Sequence, residues 1–228
     1  MPAMPNRAVI MVAGGTGTRM ASPVAKQFLL LSGKPVIMRT FEAFQRSGLD
    51  LQYVLVLYPA LRAAWEKLIS DYKFDLPHAV VDGGAERFHS VRNGLTALND
   101  HVEYVAVHDA VRPLVSTGAI SRGFAAAVAH GAAVPVVPVT DTIRRTGEGG
   151  STTLPRNTLV AVQTPQCFRR DVLEGAYNVA YEPFFTDDAS VVERSGHYVH
   201  LFEGNRSNIK VTTPEDLVIS EALFSARQ

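Results

Sequence analysis

Arg19 and Lys26 trail a stretch unusually dense in glycine, "VAGGTGTRM" from Val12 to Met20. Gly14, Gly15 and Gly17 sit directly behind an apolar run, where a bare backbone can turn its N–H groups toward an anion, chiefly phosphate. A tight turn closing a first strand–helix unit would use the same glycines. Two standard motifs fail. The dinucleotide fingerprint needs a glycine at position 20, which is Met20, and no glycine is followed by Lys-Ser or Lys-Thr at phosphate-loop spacing. What remains is a phosphate loop of another kind, with cations built in. An arginine can clamp two phosphate oxygens, and a lysine acts as a point charge. The pair suits a triphosphate whose charge rises during reaction.

Two further polar clusters repeat the pattern. "DGGAERFHSVRNG" (82–94) places Gly83 and Gly84 before a helix-like segment with Arg87 and Ser90 in its first turn. "HDAVRP" (108–113) brings Asp109 and Arg112 to the end of another apolar run. Rival chemistries are weaker. His197 and His200 are three apart in a strand-like run and face opposite sides, so they cannot share a metal. His108 reads as a packed strand-end histidine before it reads as a base. Cys167 has no companion base in the sequence and reads as a small buried residue. Asp187 and Asp188 suit a helix start better than a metal, and Arg144 and Arg145 a solvated face.

These clusters need elements to hold them. Apolar runs at 8–12, 53–58, 78–81, 104–108, 132–139 and 198–202 read as buried strands. Helices are predicted over 35–47, 60–72, 87–98, 117–131, 169–182 and 187–195. A last helix starts at Pro214, capped by Thr213. The alternation predicts an α/β fold, a Rossmann-like and mostly parallel sheet with helices on both faces. All three polar clusters then fall at strand carboxyl ends, where such sheets bind ligands. The rhythm lapses over 140–166, where "GEGG" separates two β-like polar segments. That stretch is expected to form a β-arm projecting from a single domain spanning 1–228.

Composition narrows the rest. The 228 residues carry 22 Lys+Arg and 22 Asp+Glu, so no global basic field favours nucleic acid or an anionic membrane. One cysteine excludes an intramolecular disulfide and fits a cytoplasmic protein. The longest apolar candidate, "GAAVPVVPV", carries two prolines and is far too short to span a membrane.

Taken together, "GGTGTRM" with Lys26, "DGGAERFHSV", "VHDAVRP", "PVTDTIRR", "QTPQCF", "TDDAS" and "NIKVTTPEDL" resemble the 2-C-methyl-D-erythritol 4-phosphate cytidylyltransferase family. The resemblance runs from about Ala8 to Leu223, whereas "GGTGTR" alone would indicate only the sugar-phosphate nucleotidylyltransferases. It implies CTP as co-substrate, Mg²⁺, and a homodimer whose active sites are shared between chains through the β-arm. By the same resemblance, Ala13, Gly14, Gly15, Thr16 and Gly17 form the triphosphate and cytosine cradle, and Gly83, Gly84 and Ser90 hold the nucleotide. Asp109 lies near ribose and metal, with Mg²⁺ held mainly by the CTP phosphates. Arg19, Lys26, Arg156 and Lys210 are the implied catalytic residues. Arg112, Thr142, Arg156, Thr164, Thr186 and Lys210 surround the polyol phosphate. Ala85 departs from the pattern, standing where the resemblance leads one to expect Asp, so a side-chain contact to cytosine is lost. The implied reaction is attack of a phosphate-monoester oxygen on the α-phosphorus of CTP. Ribitol 5-phosphate cytidylyltransferase would share most of these motifs. A related glycosyltransferase would display Asp-x-Asp, which is absent. A catalytically silent nucleotide-binding regulator would be expected to lose Arg19, Lys26 or Lys210.

Overall fold

The computed structural model describes residues 7–15 and 24–227, so Thr16, Gly17 and Arg19 lie outside the described residues. In chain order, β1 (Arg7–Ala13) leads through a short turn (Lys26–Phe28) to the two-residue strands β2 (Leu30–Leu31) and β3 (Lys34–Pro35) and then α1 (Val36–Gln45). The rhythm continues with β4 (Leu51–Leu57), α2 (Arg62–Tyr72), β5 (Ala79–Asp82), α3 (Arg87–Leu95), β6 (Tyr104–Asp109), α4 (Thr117–His130) and β7 (Ala132–Pro138). It breaks into β8 (Arg144–Gly147), β9 (Gly150–Thr153), β10 (Val160–Val162) and β11 (Gln166–Arg169). The chain closes with α5 (Arg170–Ala176), α6 (Asp188–Arg194), β12 (His200–Glu203) and α7 (Pro214–Ser225).

The main sheet runs β10-β7-β11-β6-β1-β4-β5, with β12 paired to β7. The β1–β4, β1–β6, β4–β5 and β7–β12 ladders are parallel, and β10 and β11 pair antiparallel. The mostly parallel α/β sheet expected from the sequence is therefore present. Strand alternation explains its two-sided core. Ala8 and Ile10 of β1, Val54 and Val56 of β4, and Val105 and Val107 of β6 pack on one face with Phe88 and Val91 of α3. Val9, Met11, Leu55 and Ala106 pack on the other, with Phe41 and Phe44 of α1 and Phe124 of α4. Gly94 lets α3 lie close on the sheet, since a Cβ there would come within 2.7 Å of Ile10 and 2.9 Å of Val56.

A third, smaller core bears directly on the site. Leu31, Val36, Val111, Leu114, Val211 and Phe224 pack together, joining the segments that follow Lys26, Asp109 and Lys210 to the C-terminal helix. The Thr213 side chain accepts from the Asp216 N–H at 3.3 Å, and the Asp216 carboxylate accepts from the Thr213 N–H at 2.9 Å, fixing the start of α7. The Glu221 carboxylate, on the same helix, accepts from the Ser32 N–H and hydroxyl at 2.7–3.0 Å.

Two expectations change in detail. Over 140–166 only β8 and β9 form a separate hairpin. The returning chain at β10 and β11 re-enters the main sheet, because Val160–Val162 and Gln166–Arg169 supply short β-forming runs that β7 and β6 can pair. The helix predicted over 169–182 stops at Ala176, where Tyr177 turns inward onto Asp188.

Candidate functional site

The glycines after β1 and β5 interlock. A Cβ on Gly14 would stand 2.7 Å from Ser90 Oγ, and one on Gly83 would stand 3.1 Å from Gly14 Cα. A Cβ on Gly84 would collide with His89. Only bare backbone lets these loops meet. The Gly83 N–H donates to the Leu57 carbonyl at 2.8 Å and the Gly84 N–H to Ser90 Oγ at 3.1 Å, tying the loop to β4 and to the first turn of α3. The result is the wall of a cavity of about 280 Å³ at the carboxyl ends of β1 and β6.

Charged side chains line the rest of that cavity. Lys26, Arg87, Asp109 and Lys210 all face it, with Ala85 and Glu86 on its rim. The Arg112 Nε donates to Asp109 Oδ2 at 2.8 Å, and Lys210 Nζ stands 3.3 Å from the same oxygen. Burial alone would raise the Asp109 pKa, but Lys210, Arg112 and Arg87 hold the carboxyl well below the usual carboxylate range. Arg112 also donates to the Asn208 carbonyl at 2.8 Å, linking the β6 end to the chain leading into Lys210. Cationic charge thus exceeds the carboxylate charge it meets, which suits an anionic ligand.

A buried relay holds Asp109 from behind. Its N–H donates to Thr164 Oγ1 at 3.1 Å, and Thr164 Oγ1 lies 3.0 Å from His108 Nδ1. His108 Nε2 lies 3.2 Å from the Arg112 carbonyl, which can only accept. His108 is therefore the neutral Nε2–H tautomer, with Nδ1 accepting from the Thr164 hydroxyl. Burial pushes its pKa down to about 3. With both nitrogens engaged and no exposure, it is not placed as a base. Cys167 is equally buried, and burial pushes its thiol pKa up.

Of the residues singled out in the sequence, Ala13, Gly14, Gly15, Lys26, Gly84, Ser90, Asp109 and Lys210 meet at this cavity. Gly83 and Arg112 stand immediately behind it. Thr164 is only 5% exposed, its hydroxyl occupied by Asp109 and His108. Thr142, Arg156 and Thr186 are exposed and do not line it, and Arg156 donates to the Thr140 carbonyl at 2.6 Å. Among the described residues, no group of three His, Cys, Asp or Glu side chains could hold a metal. Asp187 caps α6, accepting from the Ser190 N–H at 2.9 Å.

Sequence reasoning missed the partners behind the wall. Arg87 donates to Asp188 at 2.6 Å, and Asp188 is fully buried. The only signal was an acidic residue too many for one helix cap.

Comparison with known proteins gives a consistent result. The family model for 2-C-methyl-D-erythritol 4-phosphate cytidylyltransferase (IspD) matches residues 7–226. A protein of that name from Bacteroides fragilis is 50% identical over 218 residues, covering 96% of this chain and 99% of its own. One from Geobacillus kaustophilus is 44% identical over 225 residues, covering 97% of this chain and 98% of its own. The crystal structure of the Thermus thermophilus protein of that name superposes with a TM-score of 0.76 at 31% identity, covering 98% of this chain and all of that one.

Proposed function

Since the chain belongs to the 2-C-methyl-D-erythritol 4-phosphate cytidylyltransferase family, it transfers CMP from CTP to 2-C-methyl-D-erythritol 4-phosphate in isoprenoid biosynthesis, and we propose that the cavity around Asp109 is where it does so. The observation carrying this reading is the convergence of bare glycine backbone with Lys26, Arg87 and Lys210 on one cavity. The products are 4-diphosphocytidyl-2-C-methyl-D-erythritol and pyrophosphate.

The acceptor is a phosphate monoester with a second pKa of about 6, so near neutral pH it is largely a dianion. One of its oxygens attacks the α-phosphorus in line, and the bond to the β-phosphate bridging oxygen breaks. No proton has to be removed first, in keeping with a site whose histidine is buried and neutral. What the protein must supply is alignment of two anions and neutralisation of transition-state charge. Lys26 and Lys210 fill that role, joined by Arg19 on the strength of the family pattern. The backbone at Ala13–Gly15, with Thr16 and Gly17 by the same pattern, cradles the triphosphate. Gly83, Gly84 and Ser90 take the cytidine side.

Asp109 Oδ2 is taken by Arg112 and Lys210, which leaves Oδ1 as the one carboxylate oxygen Asp109 could offer a divalent ion held chiefly by phosphate oxygens, as Mg²⁺ usually is. When bound, such an ion would neutralise phosphate charge.

The polyol phosphate falls to Thr142, Arg156, Thr186 and Lys210, with Arg112 and Thr164 behind them. The exposed arm residues among them fit a homodimer in which each arm completes the partner's site. Val160 and Val162 on the edge strand β10 are 45% and 42% exposed, apolar surface that such an assembly would cover. No helix among the described residues is long and apolar enough to cross a membrane. The single cysteine, unable to form an intramolecular disulfide, suits the reducing cytoplasm proposed for the enzyme.

The direct test is pyrophosphate release from CTP and Mg²⁺ with each candidate acceptor. Methylerythritol phosphate should support turnover and ribitol 5-phosphate should not. The reverse preference would overturn the acceptor assignment.

A further inference from the structure

Asp188 is a fully buried carboxylate that phosphoryl chemistry does not require. It accepts from Arg87 Nη2 at 2.6 Å through one oxygen and from the Tyr177 hydroxyl at 2.6 Å through the other. Tyr177 is itself buried and stacked on Phe88, the residue next to Arg87, with ring centroids 4.8 Å apart. Burying a carboxylate costs several kcal/mol unless partners of this kind surround it, so its presence calls for an account.

Its location supplies one. Arg87 opens α3 directly behind Gly83 and Gly84 and lines the cavity. Asp188 opens α6 two residues after Thr186, in the segment assigned to the acceptor. That segment is pinned from its other side as well. Gln166 donates to Asp187 at 2.8 Å and accepts from the Ala189 N–H at 2.9 Å, so it is held between β11 and α3. The Arg87–Asp188 bond is thus a rigid strut between the cavity wall and the exposed Thr186 segment assigned to the acceptor.

We propose that Asp188, held by Tyr177, is a positioning residue that sets Arg87 in the nucleotide wall and Thr186 in the acceptor wall at a fixed separation, so that the two substrate subsites are mechanically coupled. The proposal rests on the functional reading above. Displacing a reacting group by about 1 Å can cost on the order of 10²-fold in rate, so such a strut has large leverage.

Asp188→Asn keeps the shape and the Tyr177 bond while removing the charge that holds Arg87. Calorimetric titration with CTP and Mg²⁺ should show binding weakened about tenfold, because Arg87 loses the charge-assisted bond that orients it. The KM for methylerythritol phosphate should rise together with it. If Asp188 acts through Arg87, the double variant Arg87→Ala/Asp188→Asn should bind CTP no more weakly than Arg87→Ala alone. Multiplying losses would overturn the proposal. So would a lowered Tm with unchanged CTP affinity and acceptor KM, the signature of a structural role only. Should Asp188→Asn fail to fold, Tyr177→Phe removes one bond to the same carboxylate and should shift both constants in the same direction, by about fivefold or less. No shift there would equally overturn it. A wild-type protein that binds CTP yet releases no pyrophosphate would count against the functional reading and leave the strut untouched.

Discussion

At the scale of single residues the site divides into groups that face the ligand and groups that hold them. Ala85 belongs to the first. It is exposed, lines the cavity, and stands where the family resemblance leads one to expect a carboxylate. Ala85→Asp should therefore favour CTP over UTP by about 1 kcal/mol, roughly fivefold in kcat/KM, through one added hydrogen bond. An unchanged ratio would show that position 85 does not reach the base. His108 belongs to the second group. Its folded pKa of about 3 lies far below the unfolded value near 6.5, so between those limits the unfolded chain binds the extra proton. Its contribution to stability is complete above pH 6.5 and is lost as pH falls, at up to about 1.4 kcal/mol per unit. His108→Asn should flatten that slope between pH 6.5 and 4 in denaturant titrations. An unchanged slope would show that other groups govern it. Asp109, depressed as well, contributes above the ordinary carboxylate range and loses that contribution at lower pH still.

The elements explain why much of this could be read from the chain. Glycine pairs behind apolar runs marked strand ends, and the structure packs those at Gly14 and Gly83 against each other through gaps only hydrogen can fill. Lys26, Asp109 and Lys210 were each visible in local motifs. Their meeting was not, because it depends on parallel register in the sheet and on the small core under α7, both set by residues distant in sequence. Arg87–Asp188 escaped for the same reason, its partners being 101 positions apart. Thr164 was legible as a polar residue near the site. That its hydroxyl is turned inward onto His108 follows from tertiary packing alone. The glycine interlock is testable by itself. Gly14→Ala would press a methyl into Ser90 Oγ at 2.7 Å, and overpacking of this sort costs about 1–3 kcal/mol. It should raise the KM for CTP tenfold or more. A normal KM with a normal Tm would show that the loops have more slack than their contacts imply.

At the scale of the whole molecule, the arm residues assigned to the acceptor lie outside the cavity that holds the cations. A twofold dimer with each arm serving its neighbour has a countable consequence. Homodimers of Arg156→Ala and of Lys26→Ala should both be nearly inactive. Unfolded together and reassembled in equal amounts, about half the dimers should be mixed, each carrying one unmutated site, and roughly a quarter of wild-type activity should return. If Arg156 serves its own chain, mixing restores nothing.

The central claim is that oriented cations around this cavity, with no general base, carry CMP transfer. Single-turnover pyrophosphate release at saturating CTP and methylerythritol phosphate tests it most directly, comparing wild type with Lys26→Ala and Lys210→Ala. Losing one oriented transition-state contact should slow the step about 10²–10³-fold while each variant remains folded. Near-wild-type release in either variant would contradict the claim.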